Sequence, residues 1–285
     1  VDGDLGTGGD GLSWEAAKLT IQAAVTAAAG GDTVYVKARA MGAAASDPVS
    51  YAETVIIPQT HDRLRLIGVS DAPAQGHVPQ IRMGSGSTAQ LIVRAPGCYI
   101  ASLGFNGASA TGGGITLEST ASSATDAFGA IIEGCHFKNC KGSTATNAAT
   151  GGAIQLSGAP WQVIIRNNRF YKNVGGIVLL DTAQAVPQDL VIVNNSFGDS
   201  AASVDCDIYL KGGSGPGVGL LIRGNDFGTL PALASGANVR FVDLTGADGG
   251  LFADNYVGTD GTWGAAGNAG IVPTTVFMSH NYDEG

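Results

Sequence analysis

The sequence predicts an all-β solenoid, a stack of short coils built from strands, and three observations lead to this prediction. An apolar run, a polar turn and an aromatic or aliphatic anchor recur along the chain, most clearly in residues 164–170. Between these copies lies a second series of short runs, such as residues 153–157, in which Ile and Leu alternate with varied residues, as in strands. Glycine supplies 44 of 285 residues, about twice its usual share, which suits tight corners between strands.

An asparagine before the anchor marks the repeated turn. Copies of the pattern occupy residues 131–137, 164–170, 191–197, 221–227, 251–257 and 277–282, with a looser one at 99–105. The markers are Asn168, Asn195, Asn225, Asn255 and Asn281, at steps of 27, 30, 30 and 26 residues. Such a period indicates stacked coils, in which each asparagine can bond to its equivalent above and below and can tolerate a left-handed corner. We therefore interpret the five as a structural ladder.

Residues 1–32 are predicted to form an N-terminal loop and an amphipathic capping helix, and residues 33–285 form the solenoid of the same single domain. Ser13 is a suitable N-cap, and apolar residues follow it at helical spacing. An open end of a solenoid exposes its core and needs a cap. The residues predicted to provide that cap are Trp14, Ile21 and Val25.

Composition excludes several classes of partner. The net charge is −9, the pI is about 4.7 and the sequence has no cluster of Lys and Arg, which predicts no binding to nucleic acid. No apolar run approaches the length of a membrane span, which predicts no membrane insertion. The four cysteines, Cys98, Cys135, Cys140 and Cys206, are predicted to be buried free thiols that act as small apolar side chains.

The first residues contain candidates for a metal site. Asp2, Asp4 and Asp10 carry oxygen ligands of the kind that calcium prefers. Their spacing lacks the distal bidentate glutamate of a calcium loop, and a solvated loop is the competing interpretation. The sequence therefore predicts no cofactor, with calcium at these aspartates as the alternative.

Two signatures resemble the right-handed parallel β-helix superfamily, the pectate-lyase-like proteins. One is the opening, with Gly-Leu-Ser-Trp at 11–14, Thr-Ile-Gln-Ala-Ala-Val at 20–25 and Gly-Asp-Thr-Val-Tyr-Val at 31–36; the other is the repeated Asn-Asn-x-Phe coil. The resemblance spans nearly the whole chain and implies a right-handed parallel β-helix of about nine coils with an N-terminal capping helix. The opening is also similar to that of many phage-encoded β-helix proteins.

The resemblance says less about function, because the superfamily holds lyases, hydrolases, esterases, bacterial surface proteins and phage virion proteins. Its lyases place calcium-binding carboxylates and a catalytic Arg or Lys on one exposed sheet. The residues of the second strand series that suit this role are Asp181, Asp207, Lys211 and Asp243. Stacked carboxylates repel unless a cation or a shared proton relieves them, but charged strand ends are also ordinary solvated surface. The sharper motifs, Gly-His-Gly, Asp-Asp and Arg-x-Lys, are absent.

Two functions remain. The first is a non-catalytic structural or adhesive protein of a particle surface, in particular a phage capsid-decoration or tail-spike protein. It would be virion-bound or extracellular, and would form a homo-oligomer such as a trimer or join other proteins of a larger assembly. The second is a secreted polysaccharide lyase or glycoside hydrolase, or a glycan-binding protein. Three outward aromatic side chains on one sheet would favour the second; the residues to inspect are Trp161, Tyr171, Tyr209 and Trp263.

Overall fold

A computed structural model gives the fold. It describes residues 1–41, 49–70, 78–82, 89–107, 113–120, 125–141, 151–158, 160–180, 186–198, 206–212, 217–228, 241–258, 263–264 and 270–283. Within these ranges the chain forms one short helix, α1 (Ile21–Ala27), and 27 strands. The fold is therefore nearly all-β.

The strands form three sheets in which all but one of the neighbouring pairs run parallel. The first sheet holds β1 (Thr33–Lys37), β3 (Arg65–Val69), β6 (Tyr99–Ala101), β10 (Ile131–Glu133), β13 (Ile164–Arg166), β16 (Val191–Val193), β19 (Leu220–Arg223), β22 (Gly250–Ala253) and β26 (Val276–Ser279). The second sheet holds β4 (Gln80–Ile81), β7 (Gly104–Asn106), β11 (His136–Lys138), β14 (Arg169–Tyr171), β17 (Ser196–Gly198), β20 (Asp226–Phe227), β23 (Tyr256–Val257) and β27 (Tyr282–Asp283). The third sheet holds β2 (Val55–Ile57), β5 (Leu91–Val93), β8 (Ile115–Thr120), β12 (Ile154–Gly158), β15 (Ile177–Leu179), β18 (Ile208–Tyr209), β21 (Val242–Asp243), β24 (Trp263–Gly264) and β25 (Gly270–Ile271), with β9 (Thr125–Asp126) antiparallel to β8.

The chain visits the three sheets in turn, so that each coil adds one strand to each sheet. From β6 onward the order first, second, third sheet repeats up to β21. Three parallel sheets of stacked strands are consistent with a parallel β-helix, the architecture that the repeat predicted.

Alternation along each short strand places one column of apolar side chains inside. In β10, Ile132 is fully buried while its neighbours are half-buried, and its register partners in the adjacent coils are Ile100 and Ile165. The same inward column continues through Ile192, Ile222 and Phe252. Each such side chain contributes about 1.5–3 kcal/mol by burial. A coil obtains this stabilisation only through its neighbours, as expected of a solenoid.

The anchor residues of the repeat form a second interior column. Phe105, Phe137, Phe170, Phe197 and Phe227 stack one above the next, with successive ring centroids 5.1, 4.9, 4.5 and 5.0 Å apart. Adjacent planes differ by 9–10°. The spacing follows from strands that lie about 4.8 Å apart, so the aromatic anchor recurs because each ring packs on an identical ring.

The left-handed corner residue is the one before the marker asparagine. Asn167, Asn194 and Asp254 have φ of 57°, 55° and 54°, and Gly134 and Gly224 hold the same corner in two other coils. Gly, Asn and Asp adopt this conformation most readily. We expected the marker asparagine itself to adopt the left-handed backbone, but the residue before it does so instead.

The capping helix begins later than predicted. Thr20 is the N-cap of α1, and its side chain accepts the N–H of Ala23 at 3.2 Å. Ser13 instead accepts the N–H of Ala16 within a turn. Glu53 explains the later start, because its two carboxylate oxygens accept the N–H groups of Ile21 and Gln22 at 2.7 and 2.9 Å. This contact spans more than 30 residues of sequence, so local spacing could not reveal it.

The three predicted cap residues differ in their burial. Ile21 and Val25 are fully buried and belong to the main core cluster. Trp14 precedes the helix and is 44% exposed. Its predicted place on the helical stripe is therefore wrong, because the chain before Thr20 is not helical and does not turn the indole into the core.

Candidate functional site

The marker asparagines occupy one buried column at the corner between the first and second sheets. From Asn195 onward, each side-chain oxygen accepts two hydrogen bonds from the previous marker, one from its backbone N–H and one from its side-chain amide. These bonds join Asn168–Asn195, Asn195–Asn225, Asn225–Asn255 and Asn255–Asn281 at 3.0–3.1 Å. Each amide also donates to a carbonyl of a neighbouring coil. The first four are at most 1% exposed. Their hydrogen-bonding capacity is used inside the fold, which leaves little for a ligand.

A second buried corner was missed from the sequence. Asn173 Oδ1 accepts the N–H of Cys140 at 2.8 Å, and its amide donates to the Phe137 carbonyl. Asn168 Oδ1 accepts the N–H of Cys135 in the same way, at the corner between the first and second sheets. Both thiols thus lie where a ladder ends, and burial raises the pKa of each to about 12. Asn173 itself was the signal in the sequence. It lies in the same coil as the marker Asn168, three residues after the anchor Phe170.

Asp207 and Asp243, two of the predicted catalytic carboxylates, are not brought into one row. Tyr209 pairs with Asp243, and Asp207 lies beside Phe241, whose carbonyl accepts the Asp207 N–H at 2.9 Å. Asp207 and Asp243 are therefore out of register by two positions, which corrects the predicted stacking. Their residue exposures are 4% and 3%.

Asp243 serves a local turn. Its Oδ1 accepts the backbone N–H and the hydroxyl of Thr245, at 3.0 and 2.6 Å. Lys211, two residues beyond β18, is exposed. Asp181 lies outside the described residues. The described candidates Asp207, Lys211 and Asp243 thus do not form one aligned row.

The aromatic residues proposed as a sugar platform are dispersed. Trp161 lies between the third and first sheets and stacks on Phe128, with centroids 5.3 Å apart. Tyr171 is in the second sheet and Tyr209 in the third. The side chain of Trp263 lies outside the described part of the chain. The three described aromatics therefore do not share one sheet.

The N-terminal aspartates fasten the loop to the first coil. Asp2 pairs with Lys37 at 2.7 Å and Asp4 with Arg39 at 2.9 Å. Burial acts to raise the pKa of both carboxyls, but the lysine, the arginine and backbone N–H groups outweigh it, so both pKa values are lowered. Asp10 instead accepts the N–H of Leu12. Within the described ranges no group of three acidic, His or Cys side chains could hold a metal ion.

A cleft lies at this same end of the stack. It has a volume of about 490 Å³ and lies between the loop at residues 10–14, helix α1 and the start of β1. Trp14 and Tyr35 line it and are 44% and 50% exposed. Lys18 and Asp32 supply polar groups at its walls. The cleft combines two aromatic faces with charged groups, which is the composition of a small-molecule site. Trp14 therefore belongs to this cleft and not to the core.

Ion pairs on the outside join successive coils. Arg166 donates to Glu133 Oε2 at 2.8 Å, and the Tyr99 hydroxyl donates to the same oxygen at 3.0 Å from the coil on the other side. The hydrogen bond from Arg166 lowers the pKa of Glu133, and burial opposes it more weakly. Arg94–Glu118 and Arg223–Asp254 form the same kind of bridge, each at 2.7 Å. These three ion pairs thus link neighbouring coils.

Comparisons with protein-family models, curated proteins and solved structures find no match to the chain. The likeness to a β-helix therefore rests on the sequence motifs and the three parallel sheets. In the part of the chain that the structure describes, no helix is both long and apolar enough to cross a membrane.

Proposed function

We propose that the protein is a non-catalytic structural or adhesive β-helix of a particle surface, in the specific form of a phage capsid-decoration or tail-spike protein. The buried asparagine column from Asn168 to Asn281 is the observation that supports this function best. It fixes five successive coils in register through paired hydrogen bonds. The aromatic stack and the coil-to-coil ion pairs act in the same direction. Coils held in register in this way suit a mechanical or presenting role. The phage assignment itself rests on the resemblance of the opening.

The proposal includes finer features of the fold. Crossovers between parallel strands of one sheet are right-handed in nearly all proteins, so we infer a right-handed β-helix. Ile21 and Val25 of α1 are buried against the first coil, which supports a capping role for this helix. The location is the virion surface or the extracellular space, and the partners are copies of the chain, as in a trimer, or other proteins of the particle.

Fractionation of the natural source tests this function. Particles are separated by density-gradient sedimentation, and the chain is detected with an antibody across the gradient. The proposal expects the chain in the particle fraction at a fixed copy number per particle. A chain found only in the soluble fraction, together with polysaccharide lyase or hydrolase activity of the purified protein, would contradict it.

Glycan binding is the second candidate, and the N-terminal cleft favours it. An exposed indole and an exposed phenol beside Asp32 and Lys18 offer flat apolar faces and hydrogen-bonding groups to a sugar ring. Binding of neutral and acidic oligosaccharides is measured for the native chain, for Trp14→Ala and for Tyr35→Ala. Trp161→Ala is the matched control, because the Trp161 indole is similarly exposed, at 43%, but does not line the cleft. A glycan site at the cleft loses affinity in the first two variants and keeps it in the third.

A further inference from the structure

A small cleft opens on the outer face of the second sheet, where a glycine interrupts a row of long side chains. Gln80 and His136 are the register partners of Gly104 on either side, and Arg169 follows His136. A Cβ at position 104 would lie 3.1 Å from Gln80 Cγ, so the glutamine side chain lies over the glycine. The cleft has a volume of about 30 Å³, and Asn106, Lys138 and Tyr171 also line it.

Two lining residues carry buried polar atoms without a hydrogen-bond partner. They are Gln80 Oε1 and His136 Nδ1; the third such atom among the described residues is Arg166 Nε, outside the cleft. Gln80 is 7% exposed. Buried polar groups are nearly always paired, and exceptions concentrate where a water, an ion or a ligand is bound. Two exceptions on one cleft therefore indicate that a polar group belongs there.

The charge of the cleft is positive in an acidic protein. The chain carries a net charge of −9, but the charged residues that line the cleft are Lys138 and Arg169, with no Asp or Glu. Arg169 is exposed and forms no ion pair within the described part of the chain. Burial and the nearby Arg169 lower the pKa of His136, which leaves the imidazole neutral at pH 7. The exposed Arg169 guanidinium at the cleft therefore favours an anionic partner.

We propose that this cleft binds one small oxyanion, a phosphate or sulfate, either free or as an ester group of a larger molecule. The volume admits one or two water-sized groups, so one or two oxygens of an oxyanion fit inside the cleft, and a sugar ring does not. Rotation of the Gln80 amide by about 180° exchanges its oxygen and its nitrogen, whereas His136 needs only its proton on Nδ1; amide orientations and histidine tautomers are both assigned from the hydrogen-bond network. Gln80 Nε2, the Nδ1–H of His136 and the Arg169 guanidinium then donate to the oxyanion.

The test is a titration of the ¹⁵N-labelled chain with inorganic phosphate at constant ionic strength. The readouts are the side-chain ¹⁵N resonances of His136 and Gln80. The native chain is expected to show a saturable shift at both side chains. Arg169→Gln removes one cationic donor, and Gly104→Ala places a methyl group in the cleft; each is expected to weaken binding about tenfold or more.

Arg65→Gln is the matched control, because it removes an exposed cation from the first sheet with the same change in net charge. It is expected to leave the titration unchanged. Thermal melts of all variants verify folding, and the exposed positions of Arg169 and Arg65 allow these two to fold even where Gly104→Ala does not. No saturable shift in the native chain, or an equal loss in Arg65→Gln, would overturn the site. A parallel titration with methyl phosphate separates the sources: tighter binding than inorganic phosphate assigns an ester group, and weaker binding assigns the free ion.

Discussion

Asn225 Oδ1 accepts both the backbone N–H and the side-chain amide of Asn195, each at 3.0 Å. The Asn195 amide also donates to the Ile165 carbonyl at 3.0 Å. Asn195 Oδ1 in turn accepts the backbone N–H and the side-chain amide of Asn168. Asn195 thus joins three coils through its hydrogen bonds. Such buried and fully paired networks specify a register, because any slip leaves several groups unpaired.

Asn195→Ala should therefore destabilise the protein by about 3–5 kcal/mol, since several buried groups lose their partners at about 1–3 kcal/mol each. Chemical denaturation followed by circular dichroism measures the change. Asn194→Gly is the control, because Asn194 is exposed and has φ of 55°; it should change stability by less than about 0.5 kcal/mol. Equal effects of the two substitutions would show that the asparagine ladder does not determine the register of the coils.

Phe170→Ala tests the aromatic column. The ring lies 4.9 Å from Phe137 and 4.5 Å from Phe197, so its removal opens a cavity between two coils. The expected loss is about 3–5 kcal/mol, from lost burial and the residual cavity. Phe277→Ala removes the same side chain where it is 67% exposed and should cost less than about 0.5 kcal/mol. A small loss for Phe170→Ala in the same denaturation experiment would mean that the coils do not pack as described.

All four thiols should be unreactive in the folded protein. Cys98, Cys135, Cys140 and Cys206 are free and buried, and burial raises the pKa of the first three to about 12. Since the thiolate is the reactive form, a colorimetric thiol reagent at pH 8 should titrate none in the native chain and four after unfolding. Rapid reaction of even one native thiol would contradict this burial.

The ion pair of Glu133 should stabilise the protein only above acidic pH. Arg166 lowers the folded-state pKa of Glu133 below its ordinary value of about 4.3. Its contribution is therefore fully present above that ordinary value and is lost as the pH falls through the lowered folded value. Glu133→Gln should cost less than about 1 kcal/mol at pH 7, as expected for a half-exposed pair.

Denaturation at pH 7 and near pH 3 checks the direction of this effect. The difference in stability between the native chain and Glu133→Gln should shrink as the pH falls. A difference that stays constant, or that grows toward acid, would show that the carboxylate is not stabilised by Arg166.

The interior was predictable because every coil repeats it. Each coil must place an amide at the same corner and a ring at the same anchor, so Asn195 and Phe197 recur at visible spacing. The outer surface does not repeat. Asp207 and Asp243 were aligned by their positions next to apolar runs, but the pairing of Tyr209 with Asp243 shifts the register by two residues. Asp207 precedes β18, whereas Asp243 is the last residue of β21.

The outer cleft and the start of the helix depend on contacts between distant residues. Gln80 meets His136 only across Gly104, and no motif links these three positions in the sequence. Ser13 and Thr20 are both good N-caps, and Glu53 favours the second by accepting the first helical N–H groups. Trp14 was assigned to the core by helical spacing, although the chain at that point is not helical.

Backbone hydrogen exchange at the marker asparagines tests the central claim most directly, because their N–H groups donate to the ladder itself. The account predicts that the amides of Asn168, Asn195 and Asn225 exchange only on global unfolding, slowed by roughly 10⁴-fold or more relative to an unstructured chain. Exchange of these three amides within minutes at neutral pH, while the strand amides beside them stay protected, would contradict a rod held in register by its asparagines.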